Sequence, residues 1–323
     1  MLSATATRLF YAAILLLAVL ILNFAMLHLA PGDVADTIAQ SMGGADAEIL
    51  AQIRSDYGLD RPFIVQLGTY LGKVLRFDLG YSFYYNMPVT ELILQRLPAT
   101  LLLVFTAQII AMVVGVILGV ITARRPNGLL SHFVTFFSLL GYSAPVFWTG
   151  ILLLIGFSLK IQWFPVAGMR DVTLEGGFFA HVLDVIRHMV LPVITLSSIF
   201  LALYSRLSRA TMMEALGADY VRTARAKGLP EHDVVYRHAL RNSLFPIVTL
   251  AGLQFSAVVS GAVLVETVFA WPGLGTLAFQ SILARDTPTI LGILFFSALM
   301  VIVGNLLTDF ALRLLDPRLR ARS

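Results

Sequence analysis

Cysteine is absent from the 323-residue chain, which excludes disulfides and thiolate metal sites outright. Charge is nearly as scarce: Asp, Glu, Lys and Arg make up 13% of the residues, against about 25% in a soluble domain. The shortage is concentrated. Six blocks carry no Asp, Glu, Lys or Arg at all: 9–31, 97–123, 130–159, 188–204, 242–265 and 287–308. Each lies near or above the roughly 18 residues at which an apolar run reads as a membrane-crossing helix. A closed barrel would show alternating segments of about ten residues instead. The composition therefore implies an all-α polytopic membrane protein with about six transmembrane helices. A GxxxxGK[ST] phosphate loop is also lacking, so the chain shows no ATPase motif of its own.

What charge there is has a direction. With the N-terminus in the cytosol and all six blocks spanning, the cytosolic side carries 14 basic and 6 acidic residues, and the opposite side 9 and 13. That is the positive-inside pattern, and it accounts for a pI near 9.5 without nucleic acid as a partner. Both termini then lie in the cytosol, and the partner implied by composition is membrane lipid. The first block exceeds the 7–15 residues of a signal-peptide core, so it reads as an uncleaved span. None of the 6 histidines forms a His-x-x-x-His pair, and only His181 and His188 share a helical face. With no clustered carboxylates either, no metal site is expected.

These boundaries divide the chain as follows. Residues 1–8 form a cytosolic N-terminus, 9–30 the first span, and 31–96 an external segment with amphipathic helices. The core, 97–310, holds spans at about 98–123, 132–158, 188–208, 244–268 and 288–310, with a cytosolic loop at about 209–243; residues 311–323 return to the cytosol. In the external segment, Asp46 can cap a helix that Gly58 stops. After Pro62, residues Phe63, Ile64, Leu67, Tyr70, Leu71, Val74 and Leu75 fall on one helical stripe. "FDLGYSFYYNMPV" reads as an aromatic loop at headgroup level, and "ETVFAWPGLG" as a second external loop. Gly115 and Gly119 have the spacing of a close helix contact.

The stretch "GADYVRTARAKGLPEHDVVYRHALRNSLFP" stands out as a polar island between two apolar runs. Asp219 can cap a short helix from Tyr220 to Lys227 that Gly228 terminates. Pro230 suits the first turn of a second helix running toward Asn242. Val221, Ala224 and Gly228 share one face, Arg222 and Arg225 another. A solvated loop whose arginines only set topology is the bland alternative. Topology needs charge, however, and does not need a helix, a glycine and a second helix with alanines between the arginines. The pattern fits a compact plug for a groove on another protein.

That island resembles the cytoplasmic "EAA" loop of ABC-transporter permeases. Aligned on Gly228, the signature triplet is Arg222-Thr223-Ala224, so Ala224 and Gly228 keep the general form; Leu240 is kept, and Arg241 stands where proline is expected. "DYVRTARAKGL" followed by "RHALRNSL" is similar to the variant found in dipeptide, oligopeptide and nickel import permeases. "YGLDRPFIVQ", "FDLGYS", "RLPATL", "SAPVFW", "FPVAG", "LPVITL", "ETVFAWPGLG" and "LLDPR" resemble the same family in the same order. The resemblance implies a type I importer permease in the bacterial inner membrane. It implies a second homologous permease, two cytosolic ATP-binding subunits that hold ATP and Mg, and a periplasmic or lipid-anchored substrate-binding protein. No cofactor would be bound by this chain, and the Asp219–Asn242 loop would couple it to an ATPase. Asp219, Tyr220, Arg222, Thr223, Ala224, Arg225, Lys227, Gly228, Leu229, Arg237 and Arg241 are then the coupling residues. Peptide is the implied cargo, with nickel or another small solute as the alternative within the family.

Few polar residues remain for a pathway: Asn23, Gln108, Gln254 and Asn305 lie within the charge-free blocks, and such groups usually face a bundle interior or cavity. Glu266, beside Phe269 and Trp271, marks the outer end of the fifth span as a candidate gate or docking point for the binding protein. An ion-coupled secondary transporter, the rival from another class, predicts intramembrane charge, which the six blocks lack.

Overall fold

The computed structural model describes residues 2–29, 51, 54–55 and 60–315. The chain divides into two compact units, residues 1–100 with 272–302 and residues 101–271 with 303–323. The division falls inside helices at 100/101 and 302/303 and in the loop at 271/272.

In the first unit, helix α1 (Leu2–Leu29) carries helix α2 (Phe63–Val74). The apolar stripe after Pro62 forms the predicted amphipathic helix, with Pro62 in its N-cap position. Its ring residues meet α1: Phe24 lies 5.5 Å from Phe63 and 5.1 Å from Tyr70, centroid to centroid. The helix expected after Asp46 falls mostly outside the described residues. The aromatic segment read as loop contains a small antiparallel hairpin, β1 (Tyr81–Ser82) and β2 (Met87–Pro88), with Ser82 opposite Met87.

A buried carboxylate ties that hairpin down. Asp286 is 3% exposed and accepts the hydroxyls of Ser82 at 2.5 Å and Thr289 at 2.6 Å. Burial of an ion without such partners would be prohibitive. The sequence places "ETVFAWPGLG" in an external loop, yet helix α9 (Leu274–Leu283) begins within it after Gly273. Its first amide, Leu274 N–H, donates to Thr100 Oγ1 at 2.7 Å. Helix α10 runs from Thr287 to Leu315.

Helix α3 (Val89–Arg124) leads into the second unit, where α4 (Leu129–Ser143), α5 (Val146–Lys160), α6 (Phe178–Gly217), α7 (Asp219–Ala226) and α8 (Glu231–Val268) follow. Helix α6, with 40 residues, spans roughly 60 Å at 1.5 Å per residue, twice a hydrocarbon core of about 30 Å. It therefore absorbs the apolar stretch Phe178–Ile186 and reaches past the predicted boundary at residue 208. Gly115 and Gly119 let α3 approach it closely. A β-carbon on Gly115 would sit 2.6 Å from Tyr204 Cβ, and one on Gly119 would collide with Ser208.

The third charge-free block is broken rather than straight. Its two helices, Leu129–Gly141 and Val146–Lys160, meet at 106°. The cause is local: proline bars the residue before it from helical geometry, and Ala144 before Pro145 is extended, with ψ 134°. Among the described residues four helices are long and apolar enough to cross a membrane, namely α3, α6, α8 and residues 287–308 of α10, and the bent pair makes five if counted as one span. The first predicted span corresponds to α1, whose apolar stretch Phe10–Met26 is shorter.

Candidate functional site

The polar island forms a knuckle at the end of α6. Ala218 is extended, with ψ 153°, and occupies the N-cap position of α7 without a side-chain hydrogen bond. Asp219 is thus the first helical residue and not the cap expected of it. Its carboxylate lies 3.6 Å from Arg222 Nη1, and the Thr223 hydroxyl bonds its carbonyl at 2.9 Å. Gly228 then reverses the chain with φ +76°, and its N–H donates to the Arg225 carbonyl at 2.9 Å. A β-carbon there would meet no atom within 4 Å. Glycine is needed for the left-handed backbone, not for space.

Across this turn, Arg225 forks onto Glu231, Nε to Oε2 at 3.1 Å and Nη2 to Oε1 at 2.9 Å. The two parallel bonds fix orientation as well as charge. Pro230 takes the N-cap position of the following helix. The second helix does not stop near Asn242. It passes through a π turn at Val234–Ala239 directly into Leu240–Val268, so the knuckle and the span after it form one continuous rod, α8.

The small-residue face expected to meet a partner is already occupied. Val221 and Ala224 pack in one buried cluster with Val120 and Ala123 of α3, Met212 and Ala215 of α6, and Val234, Val235 and Ala239 of α8. What faces outward is the polar face. Tyr220 is 40% exposed and Leu229 38%; Arg222, Thr223, Lys227, Gly228, Arg237 and Arg241 are exposed as well. The arginines and the packed alanine thus do different work: one set presents charge, the other welds α7 to three longer helices.

The expected pathway residues do not converge. Gln254 is half-buried and Asn305 exposed on its helix. Glu266 is fully buried, as is Trp271, whose N–H bonds the Glu266 carbonyl at 2.8 Å; a carboxylate so enclosed does not present itself to a protein partner. Gln108 is the polar group that packing does use: its amide donates to Tyr204 Oη at 2.7 Å and to the Ala251 carbonyl at 3.2 Å. Nothing in the sequence paired residues 108 and 204, although the Gly115 and Gly119 spacing indicated that α3 has a close helical neighbour.

Comparison with known proteins decides what this architecture is. Residues 115–321 match the family described as binding-protein-dependent transport system inner membrane component, and residues 1–104 match the N-terminal part of such membrane components. The chain belongs to this family. It is thus a multi-pass inner-membrane permease component of an ABC transport system that depends on a binding protein. The oligopeptide transport system permease protein AppB of Bacillus subtilis (strain 168) is 38% identical over 307 residues, 94% of this chain and 95% of that protein. The di/tripeptide transport system permease protein DppB of Pseudomonas aeruginosa (strain UCBPP-PA14) is 38% identical over 334 residues, 99% of each. A solved chain of the MetNI methionine ABC transporter, inward-facing, aligns with a TM-score of 0.52 at 16% identity over 70% of this chain and 96% of that one. That likeness extends to the fold.

Proposed function

We propose that this permease forms half of the translocation pathway of an ATP-driven peptide importer and is moved by a cytosolic ATPase seated on the Asp219–Leu229 knuckle. In this reading both termini are cytosolic, a second homologous permease completes the pathway, and two ATPase subunits bind the ATP and Mg that this chain does not. A substrate-binding protein on the outer side delivers cargo. Peptide is the cargo class that the relatives' names support.

The observation that carries the reading is the weld beneath the knuckle. Coupling requires conformations that differ in their contacts and an element stiff enough to pass the difference on. Val221 and Ala224 lock α7 onto α3, α6 and α8, while Tyr220, Arg222 and Lys227 remain on the surface. Movement imposed on the exposed face is therefore transmitted to three long helices at once.

The absence of cysteine makes a direct test simple. Arg222→Cys is paired with single cysteines lining the surface groove of the importer's ATPase subunit, and the complex is oxidised in membranes. Disulfide capture of the ATPase by Arg222→Cys, and none by a cysteine placed at Tyr84 on the hairpin, is the result expected. Capture of neither, or capture by the hairpin alone, removes the proposal.

A further inference from the structure

Beside the knuckle lies a cleft of about 570 Å3 that shares only Arg225 with the coupling residues. Its charged lining is Arg124 and Arg125 at the end of α3, Arg225 of α7, and a single carboxylate, Glu231. Glu231 is already forked by Arg225. Arg124 and Arg125 are exposed and form no ion pair among the described residues. The cleft thus keeps an uncompensated positive charge on the two side chains best shaped to fork onto oxyanions.

Two further features point the same way. The 15-residue helix α4 starts at the cleft, with Gly128 in the N-cap position and no side-chain cap. The N–H groups of the first turn of a helix lack intrahelical acceptors and favour anions. Ser131, in that first turn, also lines the cleft. It is 2% exposed, and its hydroxyl has no hydrogen-bond partner. A buried hydroxyl left unmatched is costly and uncommon in native structures; an acceptor entering the cleft would satisfy it.

The flank of the cleft is apolar. Ile121, Leu129 and Leu130 line it and are 40%, 90% and 52% exposed. Along α4 the exposure continues through Phe133, Phe136 and Phe137. A free anion needs no such surface, whereas acyl chains do. We infer that this cleft binds a phosphate group, presented by an anionic phospholipid whose chains lie along α4. The inference rests on the proposed function only for which leaflet supplies the lipid: the knuckle side, where anionic headgroups attract basic residues.

Native mass spectrometry of the full chain in mild detergent tests this without reference to sidedness. The protein is titrated with phosphatidylglycerol, with phosphatidylcholine and, separately, with inorganic phosphate. One phosphatidylglycerol is expected to be retained in preference to phosphatidylcholine. Arg124→Gln with Arg125→Gln should weaken it by about a hundredfold, the loss of one charge-assisted hydrogen bond from each guanidinium. Ser131→Ala should weaken it less, and Arg124→Lys with Arg125→Lys should fall between, because charge is kept and the fork lost. If inorganic phosphate raises the melting midpoint of wild type but not of the Gln variant, and no lipid is preferred, the same cradle takes a free phosphate. Equal retention of both lipids without any phosphate effect, or retention unchanged in every variant, overturns the inference. Failure here with Arg222→Cys capture intact leaves the coupling role standing, and the reverse result condemns coupling alone.

Discussion

At the scale of single residues, neighbouring positions in the knuckle behave differently for different physical reasons. Gly228 has open space around it but a backbone that side chains resist, so Gly228→Val imposes strain of about 1–2 kcal/mol on the turn without a clash. Insertion and overall stability should survive while the angle between α7 and α8 changes. Ala224 is the opposite case. It looked like a docking residue in sequence because it shares a face with Gly228, yet it is 5% exposed inside the cluster. Ala224→Glu would bury an unpaired carboxylate, a loss on the order of 3 kcal/mol or more, and should lower the detergent-solubilised melting midpoint well below that of Gly228→Val. Equal midpoints would show that the cluster does not hold α7. The glycines of α3 allow a parallel comparison. Gly119→Val, which collides with Ser208, should destabilise by about 1–3 kcal/mol. Gly72→Ala on α2, where nothing lies within 4 Å, should be neutral or stabilising by up to about 1 kcal/mol.

At the scale of elements, the hairpin and the α9–α10 turn depend on one carboxylate. Asp286→Ala would strip both Ser82 and Thr289 of their acceptor, at a cost of about 1–3 kcal/mol for each buried hydroxyl left unmatched. Hydrogen exchange at residues 81–88 should accelerate while α3 and α6 stay protected; unchanged exchange at the hairpin would mean that the carboxylate is not what holds it. This cluster also marks the limit of sequence reasoning. Its members are 204 positions apart, and neither "YSF" nor "RDT" carries a local signal of burial. The helices themselves were legible, because long charge-free runs leave the backbone no other arrangement in lipid. Their ends were not. Helix α6 runs on to Gly217 through Arg209 and Glu214, residues that hydropathy assigns to a loop but that are good helix formers. The break at Pro145 was missed for the converse reason: a charge-free run reports polarity and is blind to a proline's steric effect on Ala144.

At the scale of the whole molecule, family membership and the fold identify a permease component, and the knuckle supports the proposal that it is driven from outside itself. The short helix that the sequence marks as unusual has a basic exposed face and a buried face that touches α3, α6 and α8 together. A loop that only enforced topology would need the first property and not the second. The continuity of α8 from Glu231 to Val268 would extend the proposed lever along a whole span.

The coupling ratio of the assembled importer tests that claim most directly. The permease, its partner permease, the ATPases and the binding protein are reconstituted in liposomes, and ATP hydrolysed per labelled peptide imported is measured for wild type and for Gly228→Val. Gly228→Val, which strains the turn, is expected to raise that ratio, with hydrolysis itself retained. The same ratio in both proteins, at the same uptake rate, would contradict the account.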